Sequence, residues 1–316
     1  STPTLLDQVP SSLRPGVQAL LMTSLRHAAL SRAACEHLLQ KPPARPVVAL
    51  LQTALALMNA EPCPYAPHTL VNQTIEAAKS QRNTHHATGL INACLRRWLR
   101  EAESMRQVLQ TDARVRWNLP NWWIERLRAD HGREQAEAIM QAYRSPAPMS
   151  LRVNAQWGDA DRLLGEWAAA GISARRTGSH SVQLDKPRAV HDLPGFGQGW
   201  CSVQDHAAQH AAPLLLEGAS PAALSSRWLD ACAAPGGKTA HVLELGAKEV
   251  WALDKDARRA ERITANLQRL KLKAKVVVAD AAQPKTWWDG QTFEGILLDA
   301  PCTASGIVRR HPDVRW

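Results

Sequence analysis

The chain has 316 residues, more than one ordinary domain of about 100 to 200 residues, so two or three domains are expected. Lys and Arg number 38 against 29 Asp and Glu, a formal charge of +9 that leans toward the N-terminal half, with 45% hydrophobic and 21% charged residues. This composition excludes a wholly disordered or fibrous chain, and the basic balance favours an anionic partner such as nucleic acid.

Six cysteines are scattered without a C-x-x-C pair, which excludes a disulfide scaffold and a zinc ribbon and leaves no metal site to expect. There is no 18-residue apolar run and no basic-then-apolar leader, so a cytoplasmic protein without a membrane partner is expected. The chain opens on Ser1 rather than Met and stops at Trp316 directly after a dense motif, from which a fragment is expected.

Residues 13–110 have helical spacing throughout. PVVALLQTALALMNA (46–60) begins with Pro and is apolar nearly all round, as a central bundle helix would be. In 89–109, Leu90, Ile91, Cys94, Leu95, Trp98 and Leu99 share one face, with Arg96, Arg97 and Arg100 turned away as a solvated basic face or a contact for RNA phosphates. Asn121 caps a further helix, WWIERLRAD. The tandem tryptophans Trp122, Trp123, Trp287 and Trp288 read as packing residues rather than base-stacking ones.

After SPAP (145–148), MSLRVNA (149–155) alternates as a strand, DADRLLGEWAAA (159–170) as a helix, and ISARR and SVQL as short strands, giving a small α+β insert. The glycine-rich LPGFGQGWCSVQD leads to a helix, DHAAQHAAPLLLE. His206 and His210 stand at i, i+4, but Ala207 occupies the place where a metalloprotease needs Glu. From Ser226 strands and helices alternate: RWLDACA, GGKTAHVLELG, EVWALD, DARRAERITANLQRL, AKVVVAD and EGILLDAPC. Apolar strands separated by helices imply a parallel, doubly wound sheet whose ligand lies beyond the carboxyl ends of the strands.

Those ends carry Asp230 to Lys238, then Asp254, Asp280, and Asp299 with Cys302. DACAAPGGKT is a tight small-residue turn before a helix, able to receive an anionic group. A P-loop competes, since Gly237, Lys238 and Thr239 match its end, but Cys232 takes the place of its first glycine. Asp254 at the second strand end suits a ribose diol, so a nucleoside cofactor without a phosphate chain is favoured, S-adenosylmethionine being the common one. Any one of these aspartates could simply cap a helix, and Cys232 could be a small packing residue; Cys302, in D-A-P-C at the rim, is placed for reaction.

DACAAPGGKT, ALDKD, VVVAD, ILLDAPCTASGIVRRHPDVRW, SLRVN and SVQDHAAQ together resemble the NOP2/Sun family of RNA cytosine-C5 methyltransferases. The helical part, with LVNQTIEAAK and GLINACLRRWLR, is similar to the NusB-like RNA-binding domain that precedes the catalytic domain in some members. The resemblance implies three parts: a helical NusB-like domain with linker helices over 1–144, a small α+β domain over 145–218, and over 219–316 the first four strands of a Rossmann-like methyltransferase domain. It also implies S-adenosylmethionine as cofactor and 16S ribosomal RNA as partner of a monomer.

By the same resemblance Cys232, Ala233, Ala234, Pro235, Gly236, Gly237 and Lys238 form the cofactor loop, Asp254 takes the ribose hydroxyls, Asp280 lies by the adenine, and Asp299 by the methionine end or the cytosine ring. From the residues alone Cys302 would be the nucleophile. In the family the nucleophile belongs to a later Thr-Cys-Ser motif, which these residues lack, and the Pro-Cys thiol assists product release; the 316-residue chain is accordingly expected to be inactive and poorly stable. Arg309, Arg310 and His311, with Arg96 and Arg97, are candidates for RNA phosphates around an unstacked base. A P-loop nucleotide hydrolase and a non-catalytic RNA-binding protein are the alternatives.

Overall fold

The computed structural model describes residues 6–303 and 305–316. They form two compact units, one of the helical residues before Pro148 together with 305–316, the other of Pro148–Thr303. No described helix is long and apolar enough to cross a membrane.

The first unit contains α1 (Arg14–Arg26), α2 (Ala28–Leu38), α3 (Arg45–Met58), α4 (Pro67–Lys79), α5 (Thr88–Leu109), α6 (Ala113–Trp117) and α7 (Asn121–Tyr143). Helix α3 packs against α1, α2, α4 and α5 and buries Val47, Leu51 and Ala54–Met58, as its all-round apolar sequence demands. Along α5 the buried stripe is narrower than the sequence suggests: Ile91, Cys94, Leu95, Trp98 and Met105 are buried, whereas Leu90 and Leu99 are each 41% exposed. Each stands one position beyond the seam that faces the bundle.

Asn121 is the first residue of α7 and makes no cap; Pro120 precedes the helix with extended backbone. Gly132, at φ 74°, interrupts α7. The tryptophans divide. Trp123 is buried and Trp287 half-buried, but Trp122 (64% exposed, stacked on Trp123) and Trp288 (44%) lie open to solvent. Residues 305–316 join this unit through Val308 and Val314, which pack with Trp117, Leu119, Trp123 and Met140.

The second unit holds two sheets. The smaller comprises β1 (Met149–Val153), β2 (Ala174–Gly178), β3 (Ser181–Leu184) and β4 (Cys201–Val203), antiparallel in the order β2-β3-β1-β4, with α8 (Ala160–Ala169) on one face. Leu151 and Val153 face Leu163 and Trp167 of α8; Arg152, one step out of phase, points to the other side. The expected long helix after the glycine-rich passage is instead a 3₁₀ turn, Ala207–His210, followed by the short α9 (Ala211–Leu215).

The larger sheet is parallel, in the order β7-β6-β5-β8, from β5 (Arg227–Ala231), β6 (Glu249–Asp254), β7 (Lys275–Val278) and β8 (Gly295–Leu298). The chain moves from β5 to β6 to β7 in one direction through α11 (Gly237–Glu244) and α12 (Ala257–Leu270), α10 being the short Pro221–Leu224 before β5. Right-handed crossovers running the same way put both helices on one face, where they pack on Trp228, Val250 and Ala252. The other face has no helix among the described residues, and Trp287 and Phe293 cover Leu229, Trp251 and Leu253 there. The connection from β7 to β8 is a 3₁₀ turn and loop rather than the expected helix, and Ile296 and Leu298 of β8 are 58% and 64% exposed.

Candidate active site

β8 returns to pair with β5 on the side away from β6, so the strand order reverses at β5. In open α/β sheets the crevice at such a switch point, outside the carboxyl ends of the strands, is where ligands bind. Ala231 ends β5 and is followed there by the loop 232–236. Cys232 takes a left-handed conformation, φ 61°, so the absence of glycine at this position does not prevent the glycine-like turn that its side chain was expected to oppose. The Ala234–Pro235 peptide is cis. Gly236, φ 90°, precedes α11, and a Cβ there would press on Ile263 of α12 at 3.0 Å, whereas one at Gly237 would meet only Gln204 Nε2 at 3.9 Å. Fold and close packing thus demand the first glycine; beside the second there is room.

Asp254, at the end of β6 and 3% exposed, accepts hydrogen bonds from Ala234 N (3.2 Å) and Asp256 N (3.1 Å) and lies 3.4 Å from Arg259, whose guanidinium also donates to Ala234 O (3.2 Å). The carboxylate therefore ties the loop to the neighbouring strand. Lys238 Nζ donates to Asp299 at the end of β8 (2.5 Å), spanning the switch point. Asp280, after β7, is exposed and accepts from Ala282 N (2.9 Å). Burial, then the charge of Asp254, pushes the Cys232 thiol up, while Cys302 is exposed beyond β8.

The sequence marks Asp230 as the polar end of the first strand but gives no such prominence to Arg152 or His241. Asp230 lies within β5, buried, and accepts from Thr239 Oγ1 (2.5 Å); burial is the main force holding its carboxyl up to about 6. Thr239 is turned inward to this acid, which is not how a P-loop hydroxyl meets a metal ion. Arg152, 1% exposed, donates to both carboxylate oxygens of Glu244 at 2.9 Å, to Gly237 O at 3.0 Å, and to Gln204 Oε1, joining the small sheet to α11. An arginine in an otherwise apolar strand, S-L-R-V-N, is the signal that could have revealed it. His241 is also buried, and burial followed by repulsion from Arg152 pulls its imidazole down to about 3.

The predicted RNA-binding residues belong to the helical unit. Arg96 donates to Asn92 (2.9 Å) and Arg97 to Glu101 (3.0 Å) on the exposed side of α5. Arg309, half-buried, donates to Ser145 Oγ and Pro146 O, both at 2.9 Å, and Arg310 and His311 are half-buried beside it. His206 and His210 sit with ring centroids 5.3 Å apart, His206 meeting Ser181 Oγ at 3.3 Å.

A parallel sheet with a small-residue loop after its first strand and acids at successive strand ends defines a nucleoside-cofactor enzyme of the Rossmann-like methyltransferase class. Residues 221–316 match the family described as 16S rRNA methyltransferase RsmB/F, and residues 119–191 match the ferredoxin-like domain of RsmF/B-like methyltransferases. Among curated proteins, the chain is 38% identical over 326 residues to ribosomal RNA small subunit methyltransferase B of Vibrio vulnificus, covering 100% of this chain and 74% of that protein. It is 40% identical over 322 residues to the protein so named from Pseudomonas syringae pv. tomato, covering 100% and 70%. The chain belongs to the RsmB/F family of 16S rRNA methyltransferases.

The fold is shared with the crystal structure of PH0851 (TM-score 0.71, 22% identity, 98% of this chain and 70% of that one). It is also shared with a methyltransferase homologue from Pyrococcus horikoshii (TM-score 0.53, 26% identity, 63% and 65%). Enzymes of the RsmB/F family take their methyl group from S-adenosylmethionine.

Proposed function

We propose that the chain acts in methylation of C5 of a cytosine in 16S rRNA, with S-adenosylmethionine held at the crevice between the ends of β5, β6 and β8. The observation that carries this is the convergence there of the 232–238 loop, the buried Asp254, and the Lys238–Asp299 pair. When bound, the cofactor supplies a methyl group on a positively charged sulfur.

The chain's own residues hold and orient. Loop amides from Cys232 to Lys238 and the start of α11 receive the anionic end of the ligand, Asp254 offers its remaining lone pairs to the ribose diol, and Asp280 borders the adenine. Asp299, restrained by Lys238, faces the methionine end or the base. Cytosine C5 is a weak nucleophile; addition of a thiolate to C6 makes C5 electron-rich, and loss of the C5 proton after methylation expels the thiolate. Cys302, the exposed thiol that follows the end of β8, is the residue we assign to this covalent cycle, Cys232 being half-buried within the loop. The helical unit is assigned to RNA, in line with its likeness to NusB-like domains, and the cytoplasm, where bacterial ribosomes are assembled, is the expected location.

The test is transfer of labelled methyl to an unmodified small-subunit rRNA transcript, with the modified position mapped to C5, in the wild type and in Cys302→Ser. A variant that accumulates an RNA–protein adduct marks Cys302 as the releasing group; loss of both adduct and turnover marks it as the nucleophile. Unchanged turnover in Cys302→Ser overturns its assignment. Methyl on an atom other than cytosine C5 overturns the reaction.

A further inference from the structure

The helical unit contains a cavity of about 840 Å³ of mixed lining, its polar side formed by Arg26, His27, Asn59, Glu61, Gln141 and Arg144. Its charge is lopsided. Arg26 and Arg144 line it directly, and Arg315, 1% exposed, stands close enough to repel both Arg26 and His27. Arg315 Nη2 donates to Tyr143 O (2.5 Å), while its Nε and Nη1 are buried without a hydrogen-bond partner, as is Nε of Arg26. Glu61 is the only acid on the lining, and it is exposed.

Buried guanidinium groups are nearly always paired, because taking a cation out of water costs several kcal/mol unless an anion and hydrogen bonds offset it. Here burial, then the charge of Arg26, pulls the Arg315 guanidinium down to about 10, against an attraction from Tyr143. His27 is driven to about 4 by burial and then by Arg144, Arg26, Arg315 and Arg106. Arg26 and Arg144 thus border one cavity, with the buried Arg315 behind them and its charge only partly answered. Arginine forks match the oxygens of a phosphate, and such charge-assisted bonds are the strong ones. Arg309, holding Ser145 and Pro146, fixes the wall on which Arg144 stands.

We propose that this cavity is a phosphate-binding site, formed by Arg26, Arg144 and His27 and backed by Arg315, that receives a phosphodiester of the RNA substrate. The choice of RNA as the phosphate's source rests on the function proposed above; the site itself does not. Its position explains why an arginine is kept buried near the end of R-R-H-P-D-V-R-W, and it gives the helical unit a fixed anchor on the RNA backbone separate from the methyl-transfer crevice.

The experiment uses the full chain and has two arms. In the first, binding of a fluorescent unmodified small-subunit rRNA transcript is followed against salt for the wild type, Arg144→Gln and, as control, Arg133→Gln, whose side chain is 85% exposed on α7. Arg144→Gln should weaken binding about tenfold at low salt and lower the slope of log K against log salt by about one, with Arg133→Gln unchanged. In the second, the His27 ring is followed by NMR while inorganic phosphate is added. Phosphate should raise its titration midpoint in the wild type and not in Arg144→Gln.

A His27 response to phosphate with no loss of RNA affinity in Arg144→Gln would overturn the RNA assignment in favour of free phosphate. No response of His27 would overturn the site. Absence of RNA binding by the wild type would count against the proposed function, and the phosphate arm would still decide the site.

Discussion

Lys238 Nζ stands 2.5 Å from a carboxylate oxygen of Asp299, so the first turn of α11 is joined to the end of β8 across the point where the strand order reverses. The Asp299 side chain is 60% exposed, and a pair so open to water contributes about 1 kcal/mol or less to stability. Its value lies in fixing the two walls of the crevice. Lys238→Gln and Asp299→Asn should therefore leave the melting temperature within a few degrees while weakening S-adenosylmethionine binding about tenfold. Calorimetry beside thermal denaturation checks this; a large loss of stability with intact binding would reverse the assignment.

Arg152 and Glu244 make the opposite kind of pair, both side chains 1% exposed. Burial pushes Glu244 up and the guanidinium beside it pulls it back. Arg152→Met strands a carboxylate in the interior and should cost about 3 to 5 kcal/mol in urea unfolding. Arg152→Met with Glu244→Leu, removing both charges, should recover most of that loss. If the double variant is as unstable as the single one, the bonds from Arg152 to Gly237 O and Gln204, rather than the ion pair, hold the small sheet to α11.

Asp230 makes stability depend on pH. Its carboxyl, 3.8 in the unfolded chain, is held up to about 6 in the fold, so the folded state binds the proton more tightly. Stability is greatest while Asp230 is protonated and falls as pH rises from about 4 to about 6, by about 3 kcal/mol in all. Asp230→Asn keeps an acceptor for Thr239 and removes the charge. The free-energy difference between variant and wild type should thus shift in the variant's favour across this window and stay flat above it, as read from denaturant titrations at a series of pH values.

His241 acts with the other sign. Its imidazole is held down to about 3 from 6.5, so its contribution is complete above pH 6.5 and is lost as pH falls through the range between those values. At pH 5 the loss amounts to about 2 kcal/mol. His241→Gln should show a shallower acid limb than the wild type; parallel limbs would mean that the ring is not held neutral.

The parallel sheet and its rim were legible because each strand is a short β-branched or aliphatic run closed by an acid, and the loop between β5 and α11 is made of small residues. The partners of those acids were not. That Asp254 binds Ala234 N, or that Asp230 faces Thr239, depends on how β5 and β6 pair in register, which spacing alone does not specify. Leu90 and Leu99 were misplaced because periodicity gives a face but not its width.

Asn118 is a further example: its side chain accepts from Ala29 N (2.7 Å) and donates to Leu25 O and Arg26 O, satisfying backbone groups where α1 gives way to α2. Nothing within a few residues of Asn118 announces a contact 89 positions away. The packing of Val308 among Trp117, Leu119 and Trp123 is hidden for the same reason.

The central claim is that the crevice at the ends of β5, β6 and β8 holds S-adenosylmethionine, and calorimetric titration of the chain with that ligand tests it most directly. One saturating site per chain is predicted, weakened at least tenfold by Asp254→Asn and not displaced by magnesium–ATP. Binding of magnesium–ATP in its place, or S-adenosylmethionine binding indifferent to Asp254, would contradict it.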